Sequence, residues 1–180
     1  FEERLLEVVD VSDPANPEPV SKWWWPGQHA DDEAELDQPY YFHGPAYVRE
    51  DDLAFLSYGG EGAVVLDVAD PTDPEYVTRA NFRDFGSWLG THSAIPVPDT
   101  DLLVVNDEAI LEGTPRETEG GDPINYTVIV DVSDLGEPGF DGKVRHGPRI
   151  VSWVPHPTPE PDMPYDTYHD KPGRFGAHNQ

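Results

Sequence analysis

A short motif that recurs three times along the chain constrains the fold more than any other feature of the sequence. The first copy reads V-V-D-V-S-D-P-A-N-P from residue 8, and the second reads V-L-D-V-A-D-P-T-D-P from residue 65. A third copy, I-V-D-V-S-D from residue 129, then loses its prolines. This density of agreement indicates an internal repeat in which each copy belongs to one structural unit.

The residue types predict the local structure of each copy. The Val, Ile and Leu residues before the first Asp favour a short strand, which we expect to be buried on both faces. Asp-Pro then starts a turn, because the Asp side chain accepts hydrogen bonds from backbone amides and Pro presets φ. Pro19 stands where the next strand of the first copy opens, a position typical of an edge strand.

Turn residues around the second and third copies divide the chain into further strands. Strands are predicted at about 43–48, 53–58, 63–69 and 75–82 for one unit and at about 91–97, 102–107, 126–133 and 149–154 for the next. Four antiparallel strands per unit at this spacing predict an all-β fold of propeller blades.

The blades account for only part of a ring, since propellers close with about four to eight blades. We therefore expect the remaining blades to come from the same longer chain or from other chains. The predicted division within one propeller domain is the outer half of a blade (1–25), an acidic inter-blade loop (26–42), a blade (43–82), a blade with long insertions (83–154), a Pro-rich loop (155–173) and the start of a further blade (174–180).

The charge balance excludes several classes of partner. Asp and Glu total 36 against 11 Lys and Arg, which gives a formal net charge of −25. Such a chain repels nucleic acid and anionic membranes. An acid excess with little lysine is typical of salt-loving microbes and predicts a halophilic, archaeal source with an acidic surface. Because 11 % of the residues are aromatic, we predict a folded chain, not a disordered one.

Missing residue types exclude further chemistry. The chain has no cysteine, which removes disulfides, Cys-ligated zinc, Fe–S clusters, c-type haem and thiol nucleophiles. No apolar run approaches the roughly 20 residues of a membrane-spanning helix. Glycine-rich nucleotide loops and the Gly-x-Ser-x-Gly elbow of serine hydrolases are also absent from the sequence.

The motif resembles the LVIVD repeat, which is named for the strand that precedes the Asp-Pro turn. That resemblance covers residues 1–154 as a repeat pattern. It implies a β-propeller, commonly secreted or at the cell surface, and it specifies the fold better than the function. In the third copy, Leu135-Gly136-Glu137-Pro138 stands in place of the Pro-x-x-Pro turn. The motif therefore does not assign the outer edge of that blade.

Three histidines precede the first strands of successive units: His43, His92 and His178. First strands line the central channel of a propeller, so these side chains are expected to converge at one mouth. Three imidazoles suit zinc, copper, iron or nickel, and an open coordination position would make such a metal catalytic. Packing against a neighbouring blade is the structural alternative for each histidine.

Other residues are weaker site candidates. Asp107 and Glu108 end the strand after His92 and are candidates for an additional ligand or a base, and Arg174 is a candidate for holding an anionic substrate. The architecture is similar to that of the selenium-binding protein/methanethiol oxidase propellers. That resemblance implies a channel metal site, but this chain lacks the cysteines of that family.

Several remaining features have a structural interpretation. We expect Trp23-Trp24-Trp25 to pack between blades, with sugar stacking as the alternative. The run Asp31-Asp32-Glu33-Ala34-Glu35 is predicted to be solvated. The histidines that do not precede the first strand of a unit are predicted to be surface residues: His29, His146, His156 and His169.

Two functions therefore stay open. The first is a secreted or cell-surface scaffold that binds partners, with a His-lined metal site in its channel. The second is a metal-dependent, oxidoreductase-like enzyme with the three histidines as ligands.

Overall fold

The computed structural model describes residues 5–29, 32, 42–82, 91–107, 127–136, 147–154 and 161–164. The regular structure within these residues is β-strand, with no helix. None of the described residues forms a helix that is long and apolar enough to cross a membrane.

The described strands form three antiparallel sheets. The outer hairpin consists of β1 (Leu6–Asp10) and β2 (Glu18–Trp23). Blade I consists of β3 (His43–Val48), β4 (Leu53–Ser57), β5 (Ala63–Asp67) and β6 (Glu75–Ala80). Blade II consists of β7 (Thr91–Pro96), β8 (Leu102–Asp107), β9 (Thr127–Asp131) and β10 (Arg149–Val154). Each strand of blades I and II begins and ends within about two residues of its predicted position.

Blades I and II are the same unit in the same register. Leu53 pairs with Asp67 in blade I, and Leu102 pairs with Asp131 in blade II. Both sheets are four-stranded meanders, with the first strand at one edge and the fourth at the other. This confirms the predicted fold class of four-stranded antiparallel propeller blades.

Blade I lies between the outer hairpin and blade II, and its two faces pack against different neighbours. One face contributes Ala54, Leu56, Val64 and Leu66 to a core that also includes Leu6 of the hairpin. The opposite face contributes Phe55, Ala63 and Val65 to a core shared with blade II. Successive side chains of a strand point to opposite faces, so stacked blades bury both sides of the central sheet.

The motif strand is buried on both faces only in the second copy. Residues 63–66 of β5 are all buried, as predicted. In β1, by contrast, Val9 is 39 % exposed, and β9 alternates between buried and half-buried positions. The prediction was therefore wrong for the first and third copies, because β5 has a described sheet on each side whereas the hairpin and blade II have one.

Aspartates close the turn after each motif strand. The carboxylates of Asp10, Asp67 and Asp131 each accept a hydrogen bond from the backbone N–H two residues later, at 2.8 to 2.9 Å. The second aspartate of each copy does the same, and this includes Asp134, which accepts from the Gly136 amide at 2.9 Å. The predicted Asp-centred turn is confirmed, and it forms even where Leu135 replaces the proline that follows the second aspartate.

Candidate functional site

The first strands of the two blades meet at the ends where they begin. Strand β7 packs against β3 and β4. The Thr91 amide at the start of β7 donates to the carbonyl oxygen of Gly59, at 3.4 Å, and this isolated bridge joins the two blades. The end of each blade at which its first strand begins is termed its inner end. The inner ends of blades I and II are therefore joined in one continuous surface.

His43 and His92 come together at this junction. Their ring centroids lie 4.1 Å apart with an interplanar angle of 43°. His92 is only 8 % exposed, and His43 is half-buried. Two histidines from different blades thus form a largely desolvated imidazole pair, as the repeat pattern predicts for neighbouring first strands.

The two histidines do not occupy equivalent positions within their blades. Arg49 and Val97 are equivalent reference points in the two blades. The amide of each donates to the carbonyl oxygen of the residue that begins the next strand, Leu53 in β4 and Leu102 in β8. Counted back from these amides, His43 is one residue further away than His92. In β3 the register shifts between His43 and Tyr47. In β7 it shifts between Thr91 and Ser93, so that His92 is itself the extra residue, and such bulges redirect a side chain.

Most of the buried polar side chains in the described part of the chain lie at this same end of the blades. They are Ser57, Thr91, His92, Ser93 and Asn106. Burying a polar group is costly unless it is hydrogen-bonded. A concentration of such groups at one place therefore needs a structural or functional reason.

Some of these groups are satisfied by neighbours. The Ser57 hydroxyl donates to the carbonyl oxygen of His43, which fixes the start of β3 against β4. The Thr127 hydroxyl donates to Asn106 Oδ1 at 2.7 Å. In contrast, Ser93 Oγ and Asn106 Nδ2 have no hydrogen-bond partner in the described structure.

The structure does not describe the side chains of the other predicted site residues. His178, Glu108 and Arg174 lie outside the described residues. The backbone of Asp107 pairs with Thr91 at the end of β8, and its side chain is not described. No group of three or more His, Asp or Glu side chains with metal-binding geometry occurs within the described ranges. The set of three histidines and the carboxylate ligands remain predictions.

The spacing of the two rings bears on whether they fit a metal. Zinc–nitrogen bonds of about 2.0–2.1 Å in a tetrahedral site hold two bound imidazoles with their centroids roughly 5 Å apart. The observed 4.1 Å is shorter. Imidazole nitrogens are suitable ligands for a transition metal. The two rings, however, have to separate by about 1 Å to share one ion.

The tryptophans pack as predicted, with one addition. Trp23 lies edge-on to Tyr58 at 5.5 Å, and Trp25 lies against Tyr76 at 5.6 Å, so both join the core between the hairpin and blade I. Trp24 instead packs on His29 at 4.7 Å. The prediction that His29 is simply a surface residue was therefore wrong, because its ring is half-buried against an indole.

Asp32 also differs from its prediction. Its carboxylate accepts from Trp24 Nε1 at 3.2 Å, from the Gly27 amide at 2.7 Å and from the His29 amide. It therefore closes the loop after the tryptophans and is not a freely solvated charge. Local sequence did not reveal this role, since acidic runs are usually solvated.

The comparison with known protein families agrees with the fold. The family model of the LVIVD repeat matches residues 2–22 and 121–145, which contain the first and third copies of the motif. The chain is a β-propeller-type repeat protein. No curated protein and no solved structure matches it.

Proposed function

We propose that this repeat protein is a binding propeller that holds a transition-metal ion between the inner ends of its blades, with His43 and His92 as ligands. The observation that carries the proposal is the meeting of these two imidazoles, from different blades, at a centroid distance of 4.1 Å. They lie among buried polar side chains, where a metal would be shielded from bulk water.

The chemistry of the pair favours zinc, copper, iron or nickel, since imidazole nitrogen suits these metals. Two histidines alone make an incomplete site, because structural and catalytic zinc sites use three or four protein ligands. His178 stays the predicted third ligand, from the segment predicted to open the next blade. Asp107 and Glu108 stay the predicted carboxylate alternatives.

The blades themselves serve as the scaffold in this proposal. Presentation of loops to partners at the cell surface or after secretion is part of it, and it is supported by the resemblance to the LVIVD repeat. The enzymatic alternative requires a metal with an open position for a substrate. Metal binding is the step that both alternatives share, so it is the step to test first.

Calorimetric titration of the full protein with Zn²⁺ and Ni²⁺, after purification without chelator followed by EDTA treatment and dialysis, tests the proposal. We expect about one ion per chain. His92→Ala and His43→Ala should each weaken binding by more than about 100-fold, since loss of even an outer-shell partner costs 10- to 100-fold.

His29→Ala is the matched control, because His29 packs on Trp24 and not in the imidazole pair. Circular dichroism and thermal melting establish that each variant is folded. Folded His43→Ala and His92→Ala proteins that bind both metals as tightly as the parent would rule the proposal out.

A further inference from the structure

Two buried donors at the end of blade II that carries His92 are not used by the fold. Ser93 directly follows His92, and it pairs across the sheet with Asn106 of β8. Ser93 is 8 % exposed and Asn106 is fully buried. The hydroxyl of Ser93 and the Nδ2 of Asn106 have no hydrogen-bond partner in the described structure, although such groups are nearly always paired.

The orientation of the Asn106 amide is fixed from the other side. The Thr127 hydroxyl donates to Asn106 Oδ1 at 2.7 Å, and these two residues are also cross-strand partners. With its oxygen engaged, the amide presents Nδ2 as the remaining donor. Ser93, Asn106 and Thr127 thus form one row across β7, β8 and β9.

This row lies on the face of blade II that is turned away from blade I. Ala94 and Val105, the next pair along the strands, belong to the core shared with blade I. Because side chains alternate between the two faces of a sheet, Ser93 and Asn106 point to the opposite side.

Blade I shows that the fold does not require a polar row at this position. The register equates Ser57 with Asn106 and Ala63 with Thr127, since Leu53 and Leu102 both pair with the motif aspartate. In blade I the Ser57 hydroxyl is used within the blade, for the carbonyl oxygen of His43. Stacking of blade II on blade I therefore occurs without unpaired donors of the kind that blade II carries on its opposite face.

We propose that Ser93 and Asn106 form a two-donor subsite for a carbonyl or hydroxyl oxygen of a small uncharged organic ligand. Both donors are neutral, and the described polar cluster at this end contains no Lys or Arg. A buried anion without a paired cation is costly, and the net charge of −25 opposes anion entry. The subsite deepens the binding function proposed above and rests on it, because the proposed ligand His92 directly precedes Ser93 in β7.

The test is a ¹H–¹⁵N NMR titration of the full protein, treated with chelator, with acetamide as the probe and acetate as the charged comparator of the same shape. The side-chain amide resonances of Asn106 are identified by their loss in Asn106→Leu. We expect them to shift saturably with acetamide and less with acetate. Ser93→Ala should weaken the acetamide response by about 2- to 10-fold, the worth of one neutral hydrogen bond.

The Asn16 side-chain amide is the internal control, because it already donates to Asp13 at 2.8 Å and should not move. Unmoved Asn106 resonances, or a stronger response to acetate than to acetamide, overturn the proposal. Melting of the ligand-free variants provides a second measurement. A loss of several degrees in Ser93→Ala means that the fold already uses the Ser93 hydroxyl, and this result also overturns it.

The two proposals fail separately. The titration contains no metal, so absence of metal binding leaves an Asn106 response intact. His92→Ala should abolish metal binding and retain the acetamide shift. A protein that binds metal normally and shows no Asn106 response keeps the metal site and loses this subsite.

Discussion

The backbone of Gly44 lies directly against the carbonyl oxygen of His92. Gly44 has a φ of +77°, and a Cβ at this position would stand 2.9 Å from that oxygen. Two requirements therefore select glycine here: a left-handed backbone and a close approach between blades. The same approach brings the His43 and His92 rings together, so the packing of the blades and the geometry of the site depend on one residue.

Gly44→Ala should therefore loosen the junction between blades I and II. We expect a loss of about 1–3 kcal/mol in the free energy of unfolding, from the left-handed backbone and from the contact with the His92 carbonyl. Urea denaturation measures this loss. Metal affinity should fall as well, since the two rings no longer hold their relative position.

Gly136→Ala is the matched control for Gly44→Ala. Gly136 has a similar φ of +71° but lies in the turn after β9 and not at the junction of the first strands. Gly136→Ala should lose only the part of the free energy of unfolding that comes from the left-handed backbone, and its metal affinity should not change. Equal losses of stability and affinity in the two variants would contradict the contribution of the blade contact.

A buried ion pair stabilises the interface between the outer hairpin and blade I. Glu61 is 3 % exposed and pairs with Arg79, and the Arg79 guanidinium lies 4.8 Å from the centre of the Trp25 ring. Arg79→Met should cost about 3–5 kcal/mol, because it leaves the Glu61 carboxylate buried without its cation. Urea denaturation of the single variant and of Arg79→Met/Glu61→Gln, which should recover part of the loss, provides the check.

Arg49→Met is the control for the ion pair. Arg49 also bonds a carboxylate, that of Asp51 at 2.6 Å, and also lies over an aromatic ring, that of Phe55 at 5.3 Å. Asp51 is half exposed, and Asp101, which lies 3.6 Å from Arg49, is mostly exposed, so each pair should contribute less than about 1 kcal/mol. A loss for Arg49→Met as large as that for Arg79→Met would show that burial of Glu61 is not the cause.

The strands and their register could be predicted from the sequence because the signals are local. The motif aspartates start hydrogen-bonded turns, and the residues before them have β-branched or aliphatic side chains. Since each turn fixes where a strand ends, the pairing of Leu53 with Asp67 and of Leu102 with Asp131 follows from the repeat. The sequence placed His43 and His92 at the starts of neighbouring first strands, but their one-residue offset and the two bulges were not predictable from the repeat.

The polar row on the other face of blade II could not be predicted in this way. Ser93, Asn106 and Thr127 are ordinary strand residues in the sequence, and their shared face depends on the bulge at His92. The burial of Glu61 depends on the hairpin that covers blade I. These features come from contacts between distant parts of the chain, which local patterns do not specify.

Asp131 makes stability depend on pH in the acid range. Hydrogen bonds from the Ser133 hydroxyl and amide, with a further one from Arg149, lower the pKa of Asp131 from 3.8 to about 2. A carboxyl group with a lowered pKa stabilises the fold above its unfolded pKa, and this contribution is lost as the pH falls through the folded value. The free energy of unfolding should therefore fall between about pH 4 and pH 2, and Asp131→Asn should show a shallower fall.

Carboxyl ¹³C NMR titration of Asp131 checks the cause directly. Ser133→Ala should raise its midpoint more than Arg149→Met does, because the hydrogen bond from the Ser133 hydroxyl is the largest single influence on this pKa. The Arg149 guanidinium lies 2.9 Å from Asp131 Oδ2 but is mostly exposed, so solvent screens its charge. A midpoint near 4 in the parent protein would contradict the lowered pKa, and the reverse order of the two variants would assign it to the arginine.

The net charge of −25 predicts that stability depends on salt. Self-repulsion among exposed carboxylates destabilises the compact state, and the screening length falls from about 10 Å at 0.1 M salt to about 3 Å at 1 M. The melting temperature should therefore rise from low to molar KCl.

Some salts also strengthen apolar burial. A variant with fewer charges is therefore needed to show that the KCl effect comes from screening. Glu18, Glu50 and Glu75 are exposed, and changing all three to Gln should raise melting at low salt and reduce the further gain from KCl. A parent protein whose melting does not change with KCl would contradict the halophilic interpretation. A variant with an undiminished gain would assign the salt effect to apolar burial and not to charge.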